Sequence, residues 1–296
     1  MYYILYNPLS ANGGGVSRAQ ALIQELKDVA SELKDIREVG DYAEFMSKLC
    51  EEDSLVIAGG DGTLNKFINY TYGMTYPKNL FYYATGSGND FLKDVADGEN
   101  KLVPLGEYIK DLPVVTVKGK TYRFINGIGY GIDGYCCEVG DAQKKVSDKP
   151  VNYTSIAIKG LLFHYKPTNA TVTVDGVTES FTKVWLAPTM NGRYYGGGMN
   201  ITPDQDRLNA NRSVSLAVFH GSSKLKTLIV FPSIFKGKHI KHDKIFKIMT
   251  GHEVKVTFDR PVALQIDGET ILDVSEYTVS SACKATAEKE NQTANA

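Results

Sequence analysis

The 296-residue sequence has few of the features that mark secreted, membrane-spanning or nucleic-acid-binding chains. Its four cysteines, Cys50, the adjacent Cys136 and Cys137, and Cys283, show neither metal-site spacing nor the density of a disulfide framework. No apolar run is long enough to cross a bilayer, and the first residues predict a strand and not a secretion signal. A net charge of −1 gives the whole molecule no attraction to nucleic acid. We therefore expect a cytoplasmic protein that does not bind nucleic acid.

Length and patterning predict two domains and a tail. A chain of 296 residues exceeds what one compact core usually holds. Residues 1–112 alternate β-rich runs with helical stretches, which predicts an α/β domain with a parallel sheet. Residues 113–282 carry closely spaced strands and turn signals such as Asp175-Gly176, which predict a mainly antiparallel β-sandwich. Residues 283–296 have almost nothing to bury, so we expect a disordered or loosely helical tail.

Within this division we expect several particular elements. Helices are predicted over residues 16–33, 141–159 and 223–235. Strands are predicted at 122–126 and 181–187, and two separate strands at 253–258 and 263–266.

A glycine-rich run after a predicted strand indicates a phosphate site. Residues 54–58 lead into Gly59-Gly60-Asp61-Gly62-Thr63, and a helix is predicted from Leu64. Free backbone N–H groups and the positive helix end would face phosphate oxygens, and glycine lets the backbone approach closely. A carboxylate at Asp61 suits a polyphosphate only with Mg²⁺ between them. Taken alone, the run is equally consistent with an ordinary tight turn.

The run resembles the Gly-Gly-Asp-Gly-Thr signature of diacylglycerol, sphingosine, ceramide and NAD kinases and, with Ser for Thr, of phosphofructokinases. Two further turns distinguish among these kinase families. Asn7-Pro8-Leu9-Ser10 with Gly13-Gly14-Gly15 resembles the opening of the diacylglycerol kinase catalytic domain. The stretch from Thr85 to Phe91, Thr-Gly-Ser-Gly-Asn-Asp-Phe, resembles that family's Leu-Gly-Thr-Gly-Asn-Asp-Phe motif.

The second predicted domain continues the resemblance to that family in the same order. The matching segments are residues 124–133, residues 191–199, Gly237-Lys238-His239 and Asp267-Gly268-Glu269. The resemblance implies an ATP-dependent lipid kinase that transfers the γ-phosphate to a hydroxyl of diacylglycerol or a related lipid. The product would be phosphatidic acid or a related lipid phosphate.

The resemblance also implies roles for individual residues. Asp267, with Glu269 as second choice, would face the lipid hydroxyl and accept its proton, although without the family context the pair is equally consistent with a strand-end turn. Asp61 and Asp90 would share a nucleotide-bound Mg²⁺, whereas Asn65 is equally well a structural polar contact. The predicted ATP-binding residues are Asn7, Pro8, Ser10, Gly59, Gly60, Asp61, Gly62, Thr63, Asn65, Gly86, Ser87, Gly88, Asn89 and Asp90.

Two departures from the family pattern leave alternatives open. The family Asp before Phe-x-Asn is missing around Val115 and Thr116, and Asp111 replaces it only if the register shifts. Asp204 and Asp206 lie in a segment whose charges and spacing differ from a structural magnesium site of some bacterial members, so the resemblance does not extend to that metal site. The alternatives are an NAD kinase-like enzyme with a soluble acceptor and a catalytically impaired lipid- or nucleotide-binding relative.

Basic and apolar residues alternate from Lys224 to Lys247. Such a segment suits transient contact with a membrane surface, as expected of a cytoplasmic enzyme that associates peripherally with its lipid substrate. A solvated helix face over ordinary core residues explains the pattern at least as well. The sequence does not decide between a monomer and a homodimer.

Overall fold

The computed structural model describes residues 1–27, 29–86, 88–96, 99, 101–147 and 151–281. The chain divides into two compact units, Met1–Lys110 and Asp111–Ala296. The predicted disordered tail and Ser87 lie outside the described residues. Cys50, Cys136 and Cys137 are free thiols. No helix in the described ranges combines the length and apolar character needed to span a bilayer.

The first unit is built on a sheet whose strands lie in the order β2-β1-β3-β4-β5, parallel except for β5. Strand β3 is buried along its whole length, as expected for a central parallel strand covered on both faces. The strands are β1 Tyr2–Tyr6, β2 Ser31–Asp35, β3 Ser54–Gly59, β4 Asn79–Ala84 and β5 Val103–Pro104; the helices are α1 Gly15–Leu26, α2 Tyr42–Ser47, α3 Asp61–Tyr70, α4 Asp90–Ala96 and α5 Gly106–Ile109.

The predicted helix over residues 16–33 is wrong in its second half. Helix α1 ends at Leu26, and Ser31–Asp35 forms β2, which pairs in parallel with β1. The segment Ser-Glu-Leu-Lys-Asp contains good helix formers, but edge pairing with β1 and the packing of Leu33 on the core outweigh that weak preference.

The second unit is a mainly antiparallel β domain. Its main sheet follows the order β15-β14-β11-β8-β16-β17-β6-β7, with β9 also paired to β16 and β10 paired to β9. The strands are β6 Val114–Val117, β7 Lys120–Arg123, β8 Gly127–Tyr130, β9 Thr168–Val174, β10 Val177–Val184, β11 Thr189–Met190, β12 Tyr194–Tyr195, β13 Met199–Asn200, β14 Val214–Phe219, β15 Phe246–Gly251, β16 Glu253–Ile266 and β17 Glu269–Ser280; the helices are α6 Ile132–Val146, α7 Tyr153–Lys159 and α8 Lys224–Val230. The predicted fold class is confirmed.

Strand β16 differs from the sequence prediction, because the two strands expected at 253–258 and 263–266 are one. Its register against β17 shifts between Thr257 and Val262, where Pro261 cannot donate to the ladder. The first half of β16 pairs with β9 and the second half with β8. The bend therefore carries the end of β16 to the start of β8, where the Asp-Gly-Glu turn follows.

Helix α6 begins at Ile132, nine residues before the predicted start. The prediction took the glycine-rich segment before residue 141 for a turn. Gly131 has φ of +116°, and a Cβ there would lie 2.5 Å from the carbonyl oxygen of Trp185, so glycine is needed at the strand-to-helix junction. The predicted strand at 122–126 overlaps only the end of β7, and residues 124–126 lie between β7 and β8. The predicted strand at 181–187 overlaps the last four residues of β10.

The predicted helix over residues 223–235 is α8 followed by a 3₁₀ turn, Phe231–Lys236, which contains Pro232. Strand β15 was not predicted, and its first residues, Phe246 and Lys247, were assigned to the basic segment that ends at Lys247. Asp175 and Gly176 form the predicted hairpin turn between β9 and β10, both with positive φ.

Candidate active site

Three polar turns meet at one edge of the first unit's sheet. Asn7 follows β1, Gly60 follows β3 and Thr85 follows β4, and these strands are neighbours in the sheet. Asn7 Nδ2 donates to Thr63 Oγ1 at 2.7 Å, and the hydroxyls of Ser10 and Thr85 are 2.7 Å apart. The predicted nucleotide-binding turns are therefore brought together and linked by hydrogen bonds between their side chains.

Arg18 is part of this arrangement and was missed by the sequence reasoning. Its Nη1 donates to the carbonyl oxygens of Thr85 and Gly86, at 2.9 and 3.0 Å. The feature of the sequence that could have revealed Arg18 is that it is a single cation in the first turn of α1, just after the glycine run 13–15. Arg18 holds the turn after β4 against the start of α1.

Close backbone contact explains the glycines of the two phosphate turns. A Cβ on Gly86 would lie 2.6 Å from Cα of Gly60, and a Cβ on Gly59 would lie 2.4 Å from Cβ of Thr63. Distances this short do not occur between real side chains, so only glycine fits. The turns present main chain at the N-terminus of the ten-residue helix α3, an arrangement that suits phosphate oxygens.

Asp61 links the second and third turns. Its Oδ2 accepts from the main-chain N–H of Asp90 at 2.7 Å, and Oδ1 accepts from that of Phe91 at 3.4 Å. Burial raises the pKa of Tyr82, and the negative charges of Asp61 and Asp90 raise it further. Within the described ranges, no three His, Cys, Asp or Glu side chains are grouped to hold a metal. Two carboxylates at these turns, Asp61 and Asp90, are oxygen donors of the kind that contacts a Mg²⁺ ion brought by a nucleotide.

Asn89 offers an acceptor at the third turn. Its Nδ2 donates to the carbonyl of Gly86 at 3.0 Å, while its buried Oδ1 makes no hydrogen bond within the described residues. Asn65 is buried on α3 and accepts from the amide of Asn69. The remaining predicted residues lie in the turns: Pro8 after β1, Gly62 in the first turn of α3, and the exposed Gly88.

In the second unit, the buried carboxylate of Asp267 is held by main chain. Oδ2 accepts from the N–H of Ile125 at 2.6 Å, and Oδ1 accepts from those of Asn126 and Gly127, both at 2.9 Å. Asp267 adopts φ of +44°, a left-handed conformation that Asp tolerates better than most residues. Three successive N–H donors stabilise its anion and fix its orientation. Glu269, two residues further on, is exposed.

The segment that binds Asp267 is itself fixed by Asn191 and Arg207. The Ile125 carbonyl accepts from Asn191 Nδ2 and Arg207 Nη1, both at 3.0 Å, and Asn126 Oδ1 accepts from Arg207 Nη2 at 3.2 Å. Arg207 is 7% exposed. Arg207 was not predicted, because in residues 204–212 only the carboxylates were considered as functional groups. A single arginine in this polar loop was the feature of the sequence that could have indicated its role.

Asp133 is a buried carboxylate in the first turn of α6. Its oxygens have no well-aligned hydrogen bond within the described residues, although the Tyr195 hydroxyl and the main-chain N–H groups of Asp133 and Gly134 lie close enough to favour its charged form. Burial raises the pKa of Asp133 to about 6, partly offset by main-chain N–H groups at the helix start and by the nearby Tyr195 hydroxyl. A Cβ on Gly129 would lie 1.9 Å from its Oδ2, so that glycine makes room for it. A charge buried this way is costly, and such costs cluster at functional sites.

Other motif residues have structural contacts. His239 is fully buried; its Nε2 lies 2.9 Å from the carbonyl oxygen of Ile201, and burial lowers its pKa. Asp204 and Asp206 are exposed. Asp111, considered as a replacement for the missing family carboxylate, lies 3.6 Å from the guanidinium of Arg212.

Comparison with known proteins identifies the family. Residues 1–113 match the model of the diacylglycerol kinase catalytic domain, and residues 126–283 match that of the YegS C-terminal NAD kinase β-sandwich-like domain. A diacylglycerol kinase of Mycobacterium tuberculosis is 26% identical over 261 residues, which cover 81% of this chain and 80% of the relative. A crystal structure of a diacylglycerol kinase from Bacillus anthracis shares the fold with a TM-score of 0.57 and 16% identity, covering 95% of this chain and 94% of that one.

Together the two family models match most of the chain, the catalytic-domain model over its first part and the YegS C-terminal model over its second. The chain therefore belongs to the family of diacylglycerol kinase-like lipid kinases with a YegS-type C-terminal domain. The predicted family is confirmed.

Proposed function

We propose that the protein is an ATP-dependent lipid kinase that transfers the γ-phosphate to the hydroxyl of diacylglycerol or a related lipid. The observation that carries the proposal is the set of three hydrogen-bonded turns around Gly59 to Thr63, in a chain of the diacylglycerol kinase-like family. The product would be phosphatidic acid or the corresponding lipid phosphate.

The residues of the first unit would bind the donor. We propose that the backbone of Gly59 to Gly62 and the N-terminus of α3 receive the phosphates, with Asn89 Oδ1 as an acceptor for a donor hydroxyl. Mg²⁺ bound to the nucleotide would neutralise charge on the phosphates. Asp61 and Asp90 are the candidates to contact that ion, although the main-chain bonds of Asp61 also give it a structural role.

The residues of the second unit would serve the acceptor. We propose that Asp267 accepts the proton of the lipid hydroxyl, with its orientation fixed by the three N–H groups. Glu269 is the second choice; if it is the base, Asp267 holds the turn that presents it. Comparing Asp267→Asn with Glu269→Gln separates these roles, provided that each rate is corrected for the folded fraction.

The test is phosphorylation of a lipid panel. Purified protein would be incubated with Mg²⁺, radiolabelled ATP and separate vesicles or micelles containing diacylglycerol, monoacylglycerol, ceramide or sphingosine. Label on one lipid class supports the proposal. ATP binding without label on any lipid refutes it and favours a binding-only relative, for which the missing carboxylate near Val115 is the supporting observation.

A soluble acceptor is tested in the same experiment. NAD would be added without lipid or detergent, and label on NAD would show an NAD kinase-like activity. That result, with no lipid labelled, would also refute the lipid-kinase proposal.

A further inference from the structure

An exposed apolar face lies on neighbouring elements of the second unit. Leu225 and Ile229 are one turn apart on α8 and are 68% and 69% exposed. Phe163, in the helical turn Gly160–His164 that follows α7, is 73% exposed. Lys224 Nζ donates to the carbonyl of Leu162 at 3.2 Å, which joins the start of α8 to that turn.

The same elements also have buried side chains, so their orientation is fixed. Ile156 in α7 and Leu161 in the turn after it belong to one core cluster. Val230 in α8 and Ile234 in the 3₁₀ turn after it belong to the same cluster. The outward direction of Phe163, Leu225 and Ile229 is therefore set by packing. We call these three residues, together with the lysines around them, the docking face.

Charge around the docking face is strongly one-sided. Residues 151–166 and 220–247 hold nine of the chain's 33 lysine and arginine residues, but Asp243 is their one acidic residue among the chain's 34. These segments therefore carry a formal charge of +8, and the remainder of the chain carries −9. Within the described residues, Lys247 is the one of these nine lysines that forms an ion pair, with Glu179. Of the other eight, Lys224 donates to the carbonyl of Leu162, so its charge, like those of the remaining seven, is not neutralised by a carboxylate in that part of the structure.

We propose that the docking face binds the surface of an anionic lipid bilayer, with Phe163, Leu225 and Ile229 inserted at the headgroup boundary. Large apolar side chains among lysines are the pattern of interfacial membrane contact, since the apolar groups leave water and the cations meet anionic headgroups. The sequence reasoning considered residues 224–247 alone. The structure adds the turn that carries Phe163 and removes Lys247, which lies in β15 and is already paired.

This inference goes beyond the proposed function, because docking requires no turnover. It would place the protein where a lipid acceptor is found. It is tested without ATP and without an acceptor lipid, so failure of the kinase proposal leaves the result interpretable.

The experiment is sedimentation of the full chain with vesicles of phosphatidylcholine alone or mixed with phosphatidylglycerol. We expect binding to the mixed vesicles that weakens as salt is raised, and at least tenfold weaker binding after Phe163→Ser with Ile229→Ser. Lys226→Glu with Lys236→Glu should weaken binding to the mixed vesicles similarly. Val177→Ser is the matched control, because Val177 is 67% exposed but lies on the β9–β10 hairpin.

Three outcomes would overturn the proposal. The first is no binding of the unaltered chain to anionic vesicles. The second is equal binding by the double serine variant and the control. The third is a dimer in sedimentation equilibrium that the serine substitutions dissociate, which would assign the face to a second copy of the chain. Circular dichroism of each variant confirms that the fold is retained.

Discussion

Replacing Asp133 with asparagine should make the protein more stable, by an amount that grows with pH. The carboxyl of Asp133 is buried at the start of α6, and its oxygens have no well-aligned hydrogen bond within the described part of the chain. Burial therefore disfavours its charged form and raises its pKa to about 6. Asparagine keeps the shape and removes the charge.

The direction and the magnitude of this stability change follow from the linkage between proton binding and folding. Because the folded state keeps its proton to a higher pH than the unfolded state, stability falls as pH rises from about 4 to about 6 and then stays level. A shift from 3.8 to about 6 corresponds to about 3 kcal/mol in total. Of this, about 2 kcal/mol falls between pH 4.5 and pH 8. Asp133→Asn lacks this loss, so its stability relative to the unaltered protein should rise by that amount over the same range.

The assay is urea unfolding of both proteins at several pH values from 4.5 to 8. The difference between the two free energies of unfolding cancels the groups that the proteins share, including Asp35 and Asp53, whose pKa values are lowered by their partners. Asp204→Asn is the control, because it removes an exposed carboxylate from the same unit. A difference for Asp133→Asn that stays constant with pH would refute the reasoning.

Three further substitutions test other contacts. Asp267→Asn should cost about 1–3 kcal/mol of unfolding free energy, because an amide NH₂ must face one of the N–H groups that the carboxylate accepts; an unchanged urea midpoint would contradict this. Gly86→Ala should cost about 1–3 kcal/mol through its clash with Gly60 and should weaken ATP binding in calorimetry, whereas unaltered affinity would place the nucleotide elsewhere. Arg207→Met should cost about 3 kcal/mol in thermal or urea unfolding, because acceptors at residues 125 and 126 lose a charged donor; a loss below 1 kcal/mol would show that solvent replaces it.

Much of the first unit's site could be predicted from sequence because its information is local. A strand, a glycine turn and a helix start are consecutive around Gly59, and parallel strands bring such turns to one edge. Arg18 could not be assigned in this way, because its partners at Thr85 and Gly86 are main-chain carbonyls that any residue type would supply.

The second unit was harder to predict because its contacts join distant segments. The carboxylate of Asp267 accepts hydrogen bonds from residues 125–127, and residues 125 and 126 accept hydrogen bonds from Arg207. Strand β2 was missed for a related reason: its residues favour a helix locally, and only pairing with β1 makes it a strand. Local preference is a poor guide wherever main-chain pairing decides the structure.

The hydrogen bonds between the three turns of the first unit have a thermodynamic consequence for ligand binding. Asn7, Ser10, Arg18 and Asp61 hold these turns together through hydrogen bonds between groups of the protein itself. A ligand that enters there loses little affinity to the ordering of loops, so preorganisation supplies part of its binding free energy. We therefore expect Asn7→Ala to weaken nucleotide binding chiefly through a less favourable entropy, although Asn7 need not touch the nucleotide.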